Sequence, residues 1–117
     1  MPARILIADD DTAMLKLYRR IFAELEHSVT LAASVAEASG LISSNNYDLL
    51  ITDFDFGDGT GAELIDLFSR RKAGAKSFLV TGSSSGGDKT KLEGLAGYFE
   101  KPFNIRQFVT AVEEALA

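Results

Sequence analysis

Cysteine is absent from these 117 residues and histidine occurs once. Without thiols there is no disulfide framework and no thiolate chemistry, and a zinc site of the Cys/His kind has nothing to build on. The single histidine, His27, lies between Glu26 and Ser28 with no complementary group near it in sequence, and reads as a surface residue at a helix end. Positive charge is also in short supply. Twelve Lys and Arg against seventeen Asp and Glu leave a net charge of −5, which argues against direct binding of a nucleic-acid backbone. No stretch approaches the roughly 18 apolar residues needed to cross a bilayer, and no charged-then-apolar leader is visible. The expectation is a cytoplasmic protein without a membrane contact. What is present suits a packed core: 46% hydrophobic and 25% charged residues, at a length that fits one domain over 1–117.

Short apolar runs alternate with helical stripes. Ile5-Leu6-Ile7-Ala8 has the continuous apolar character of a parallel strand buried on both faces. It runs into Asp9-Asp10-Asp11, after which Met14, Tyr18, Ile21, Phe22 and Leu25 recur at helical spacing. Val29–Ala32 reads as a second strand, and Ser34 with Glu37 as a capping box opening a second helix. Leu49–Thr52 is a third strand closing on Asp53. The Gly-rich stretch Gly57–Gly61 reads as a loop leading into a helix with Leu64, Ile65 and Phe68. Phe78–Val80 is a fourth strand, followed by a loose Gly82–Gly87 segment, a short helix around Lys89–Leu95 and a fifth strand at Tyr98-Phe99. Asn104 caps a last helix carrying Ile105, Phe108, Val109, Val112 and Leu116. Five strands alternating with five helices predict an α/β fold: a doubly wound, five-stranded parallel sheet with right-handed crossovers.

In such sheets ligands gather beyond the carboxyl ends of the strands. The residues found there are Asp9-Asp10, Asp53, Thr81 and Lys101. Clustered carboxylates repel and share a site best around a cation, and an all-oxygen donor set favours Mg²⁺ or Mn²⁺. Lys101 adds a compact positive charge for a phosphate oxygen, and Thr81 a hydroxyl donor. A carboxylate nucleophile, a divalent ion, an ammonium and a hydroxyl make a minimal phosphoryl-transfer site whose product is an aspartyl phosphate.

These segments resemble the receiver domains of two-component response regulators. Arg4-Ile5-Leu6-Ile7-Ala8-Asp9-Asp10-Asp11 is similar to their opening strand, and Tyr47-Asp48-Leu49-Leu50-Ile51-Thr52-Asp53 to the segment ending in the phosphoacceptor, with Gly61 matching the glycine eight residues later. Phe78-Leu79-Val80-Thr81-Gly82 and Gly97-Tyr98-Phe99-Glu100-Lys101-Pro102-Phe103 resemble the strands that carry the switch hydroxyl and the switch aromatic, lysine and proline. The resemblance implies a flavodoxin-like fold of strand order 2-1-3-4-5 and a phosphoacceptor at Asp53. The metal would be held by Asp9, Asp10, Asp53 and the backbone carbonyl of Asp55. Thr81 and Lys101 would contact the phosphoryl group, Tyr98 would act as the switch aromatic, and the Lys101–Pro102 bond would be cis. It also implies a signalling domain rather than an enzyme, monomeric or weakly dimeric. Its partners would be a sensor histidine kinase or histidine phosphotransfer protein upstream, and an effector or fused output domain downstream.

Three features depart from that pattern. Gly57 stands where the family usually has proline, which should loosen the loop. Asp55 adds a carboxylate two residues after the acceptor. The Gly82–Gly94 region is short and rich in Gly and Ser where a fourth helix normally begins. Two other functions fit parts of the pattern: a receiver-like interaction module that is never phosphorylated, and a haloacid-dehalogenase-like phosphatase using Asp53-Phe54-Asp55.

Overall fold

The computed structural model describes residues 2–82 and 94–117. Its elements in chain order are β1 (Arg4–Ala8), α1 (Thr12–Ala23), β2 (Ser28–Ala32), α2 (Val35–Ser44), β3 (Leu49–Thr52), β4 (Asp55–Phe56), β5 (Gly59–Thr60), α3 (Gly61–Arg71), β6 (Ser77–Thr81), β7 (Leu95–Glu100) and α4 (Ile105–Leu116). The main sheet is parallel throughout, in the order β2-β1-β3-β6-β7. Leaving aside the β4–β5 hairpin, this is the expected 2-1-3-4-5 order of the flavodoxin-like fold.

The apolar strand runs have the structural reason anticipated for them. Successive side chains of a strand point to opposite faces, and both faces here are covered. Leu6, Ala8, Leu50 and Leu79 join one core cluster beneath α2 and α3, with Ala38, Ile42, Leu64, Ile65 and Phe68. Ile5, Ile7, Leu49, Ile51, Phe78 and Val80 join the other, beneath α1 and α4, with Tyr18, Phe22, Phe108 and Val112. Phe108 is the hub of that second cluster, its ring centroid 4.7 Å from Phe103, 5.4 Å from Phe99 and 5.9 Å from Tyr18. Phe99 and Phe103 bracket Lys101 by two residues on either side, so this aromatic packing anchors the backbone that presents the lysine.

Helix starts follow the capping residues. Asp11 caps α1, accepting from the Ala13 N–H at 2.9 Å, and Asn104 caps α4 through the Gln107 N–H at 2.9 Å. At α2, Ser34 accepts from the Glu37 N–H, but Glu37 reaches back to the Ala33 N–H instead of closing a reciprocal box with Ser34. The Glu63 carboxylate closes on the Thr60 N–H at the start of α3.

Several expectations need correcting. The Gly57–Gly61 stretch, read as a loop, forms the turn and second strand of a small antiparallel hairpin, β4–β5, which pairs Asp55 with Thr60 and Phe56 with Gly59. Leu95, placed at the end of a short helix, begins β7, which starts three residues before Tyr98. Residues 89–93 of that helix and 83–87 of the loose segment lie outside the described residues, and the described residues hold four helices where five were expected for the chain. No described helix is long and apolar enough to cross a membrane.

His27 is also not the surface residue expected. Its side chain is only 6% exposed, and its Nε2 stands 2.6 Å from the Glu113 carboxylate on α4. Its Nδ1 accepts the Ala3 N–H at 3.0 Å, so in this arrangement Nε2 carries the proton and donates to Glu113. The histidine therefore ties the entry to β1, the α1–β2 connection and α4 together. His27→Ala leaves the Ala3 N–H without its acceptor and should cost about 1–2 kcal/mol of stability. Urea denaturation should show the loss as a lower midpoint with an unchanged slope.

Candidate functional site

The carboxyl ends of β1, β3, β6 and β7 deliver the predicted residues to one end of the sheet. Asp9 follows β1, fully buried, its N–H donating to the Ala32 carbonyl and its Oδ1 accepting from the Asp11 N–H at 2.9 Å. Asp53 follows β3, where its N–H donates to the Ala8 carbonyl at 3.0 Å, which fixes it beside Asp9. Its Oδ1 accepts the Phe54 N–H at 2.7 Å. The exposed Asp10 completes a trio in which one oxygen from each carboxylate lies within 4.8 Å of the others. Lys101, directly after β7, reaches into this trio: Nζ is 2.8 Å from Asp9 Oδ2 and 3.3 Å from Asp53 Oδ2.

The electrostatics follow from that crowding. Burial pushes the Asp9 carboxyl above its ordinary range, against the stabilising contacts from Lys101 and the Asp11 N–H. Burial alone would lower the Lys101 pKa, but its contacts with Asp9 and Asp53 outweigh this and hold it above the usual lysine value. Tyr18, packed behind the site, is pushed well above the usual phenol range, first by burial and then by the charges of Asp9 and Asp53. The ammonium thus does in this structure part of what a cation does for clustered carboxylates. An all-oxygen trio at this spacing fits a hard divalent ion such as Mg²⁺.

Thr81 ends β6, buried, with its hydroxyl donating to the Gly82 carbonyl at 3.2 Å, while its own carbonyl accepts the Lys101 N–H at 2.9 Å. The Thr81 backbone is therefore tied to the lysine strand, while its hydroxyl is turned toward its own neighbour. Tyr98 is half-buried and, like Phe54 and Phe56, packs against the cluster that includes Leu79. Asp55 lies on β4 with its side chain exposed, so its carboxylate is not among the three that converge. The Lys101–Pro102 peptide is cis.

Three supporting residues carry no local signal or only a weak one. Thr52, fully buried, donates its hydroxyl to the Asp53 carbonyl at 2.8 Å. Asp58 bonds the first N–H groups of α2. Gly61 donates its N–H to the Phe54 carbonyl at 2.7 Å, and a Cβ there would strike the Asp53 carbonyl oxygen and crowd the Thr52 hydroxyl. Its glycine is thus required by close approach rather than by an unusual φ. Gly61→Ala should cost about 1–3 kcal/mol by overpacking, and the amide resonances of Phe54 and Asp53 should shift more than those of the far sheet end.

Comparison with known proteins decides the family. The response regulator receiver domain model matches residues 5–113. The chain belongs to the response regulator receiver domain family. Among curated relatives, it is 36% identical over 119 residues to the transcriptional regulatory protein YvrH of Bacillus subtilis, covering 97% of this chain and 49% of that protein. It is 28% identical over 116 residues to the DNA-binding transcriptional regulator NtrC of Azospirillum brasilense, covering 97% of this chain and 24% of that one. The receiver thus spans about half or less of the length of these relatives. Among solved structures, a CheY-like receiver domain protein from Methanospirillum hungatei superposes with a TM-score of 0.90 at 29% identity, over 99% of this chain and 94% of that one. The response regulator TrrA of Thermotoga maritima, solved in complex with Mg(2+)-BeF, superposes with a TM-score of 0.86 at 28% identity, over 99% of this chain and all of that one.

Proposed function

We propose that this receiver accepts a phosphoryl group on Asp53 from a sensor histidine kinase or histidine phosphotransfer protein, with Mg²⁺ or Mn²⁺ held by Asp9, Asp10, Asp53 and the Asp55 carbonyl. The observation that carries the reading is the convergence of three carboxylates within 4.8 Å of one another, with Lys101 Nζ against two of them. Phosphoryl transfer needs positioning and charge neutralisation more than elaborate acid–base groups, and this cluster offers both. When bound, the metal supplies charge neutralisation across the transferring group. An Asp53 carboxylate oxygen attacks phosphorus, so that an O–P bond forms as the donor's P–N bond breaks and the donor histidine leaves. Lys101 turns from Asp53 to the incoming phosphoryl oxygens and keeps its hold on Asp9. That the Thermotoga maritima relative was solved in complex with Mg(2+)-BeF supports a Mg²⁺-dependent site here.

The output follows from Thr81 and Tyr98. The Thr81 hydroxyl leaves the Gly82 carbonyl for the phosphoryl group, and Tyr98 turns further inward, biasing two states separated by a few kcal/mol. The receiving partner is an effector protein or an output domain on the same chain, with nucleic-acid contact left to that partner. Residues 1–117 act as one domain, monomeric or weakly dimeric, in the cytoplasm. Neither the interaction-only module nor the dehalogenase-like phosphatase gains support: the acidic trio and its lysine are all in place, and the exposed Asp55 is not among the converging carboxylates.

Acetyl phosphate with Mg²⁺ tests the reading. One phosphoryl mass should be added in the intact-mass spectrum, be lost at alkaline pH as an acyl phosphate, and fail to appear when the metal is chelated. A chain that stays unlabelled at saturating donor and Mg²⁺ would leave only the interaction module standing.

A further inference from the structure

Asp58 lies at the tip of the β4–β5 hairpin and reaches across to another element. Its Oδ1 accepts the Val35 N–H and its Oδ2 the Ala36 N–H, each at 3.0 Å, contacts between residues 23 and 22 positions apart in sequence. We propose that Asp58 is a positioning residue for the acidic site, a clamp that fixes the hairpin to α2 and so holds the Asp53–Asp55 backbone in place. The consequence for the metal rests on the phosphoacceptor reading; the clamp itself rests on geometry.

The hairpin cannot hold itself. Each of its strands is two residues long, and an isolated two-stranded ribbon is marginal even at greater length. Gly57 and Gly59 flank Asp58 and give the unclamped chain more freedom to lose. Charge-assisted bonds to two backbone donors at a helix N-terminus offset that loss, because the helix end favours a negative group. The Ala36 and Val35 N–H groups hold the Asp58 carboxyl below the usual carboxylate range. The same contact explains Gly59: its φ is +156°, and a Cβ there would press on Val35 Cγ2 at 3.3 Å and on the Glu63 carboxylate. At its base the hairpin is closed by the Gly61 N–H to Phe54 carbonyl bond, directly beside Asp53. Base and tip are thus both pinned, and the segment between them carries Asp55, whose carbonyl is proposed for the metal shell. This supplies the rigidity that Gly57, standing in place of proline, takes away.

The competing account is that Asp58 merely caps α2. That helix has caps of its own: Ser34 accepts the Glu37 N–H through its side chain and the Ala38 N–H through its carbonyl. Ser34→Ala therefore weakens the same helix end without touching the hairpin, and is the control. Amide hydrogen exchange on the full metal-free chain reads the clamp. Asp58→Ala should speed exchange at the Gly61 N–H by about ten-fold or more, while Ser34→Ala leaves it near wild type. Titration with Mg²⁺ alone, followed on the Asp10 and Asp53 amides, should show at least a several-fold weaker affinity in Asp58→Ala and none of that loss in Ser34→Ala. Unchanged exchange at Gly61 in Asp58→Ala overturns the proposal. So does an unchanged Mg²⁺ affinity beside faster exchange, or reproduction of both effects by Ser34→Ala. If the wild type takes up no Mg²⁺, it is the phosphoacceptor reading that fails, and exchange at Gly61 alone still decides whether the clamp exists.

Discussion

Asp53→Asn should abolish phosphoryl labelling by acetyl phosphate and Mg²⁺ while leaving the fold intact. Asparagine has the shape of aspartate, keeps an oxygen to accept the Phe54 N–H, and loses the anionic oxygen that attacks phosphorus. It also removes one of three mutually repelling charges, so the metal-free variant should be at least as stable as the parent. Three other carboxylates lie close in sequence or space, and each is less suited to take over. Asp9 is fully buried and engaged by the Asp11 N–H and by Lys101. Asp10 is exposed at the rim of the trio, and Asp55 is exposed outside it. Loss should therefore be complete within the detection limit of intact-mass measurement. Undiminished labelling of the Asn variant would move the acceptor elsewhere, and peptide mapping would say to which carboxylate.

Legibility in the sequence followed the range of the interactions involved. Strands β1, β3 and β6 announce themselves because a strand buried on both faces reads as a nearly continuous apolar run, and the sheet topology then places Asp9, Asp53 and Lys101 together. The helix caps are equally local, as at Ser34 and Asn104. The β4–β5 hairpin is different: two-residue strands flanked by glycine have no alternation to detect. Asp58 goes unremarked in the sequence, and His27 reads there as a surface residue, for a third reason. Their partners sit 22 to 86 residues away, and nothing beside either residue signals the pairing. The extra carboxylate at Asp55 is visible in the sequence, but its exposure on β4, outside the converging trio, depends on the hairpin and has no signal of its own.

Lys101→Met should be the most destabilising change at the site in the absence of metal, and the one that Mg²⁺ repairs best. Methionine keeps the length and apolar stem of lysine but removes the ammonium that touches Asp9 at 2.8 Å and Asp53 at 3.3 Å. Asp9 has no exposure to water, so its charge is left without a counter-ion. Breaking such a pair from one side costs about 3 kcal/mol, the low end of the usual range because the lysine side chain itself is 20% exposed. A divalent cation restores the missing charge and meets no ammonium competing for the same oxygens. The stabilisation by Mg²⁺, which grows as RT ln(1 + [Mg²⁺]/Kd), should therefore be larger in the variant than in the parent. The pH dependence has a definite sign. The Asp9 pKa is already raised in the folded chain, and losing Lys101 raises it further. The folded state then holds a proton that the unfolded state has released, so stability falls as pH climbs from the ordinary carboxylate range through the raised value. In chelator, the variant should recover toward the parent on acidification and be weakest at neutral pH, as thermal melts at several pH values would show. A variant as stable as the parent in chelator, with the same response to Mg²⁺, would mean that Lys101 neutralises nothing and that the carboxylates hold their charges by solvation alone.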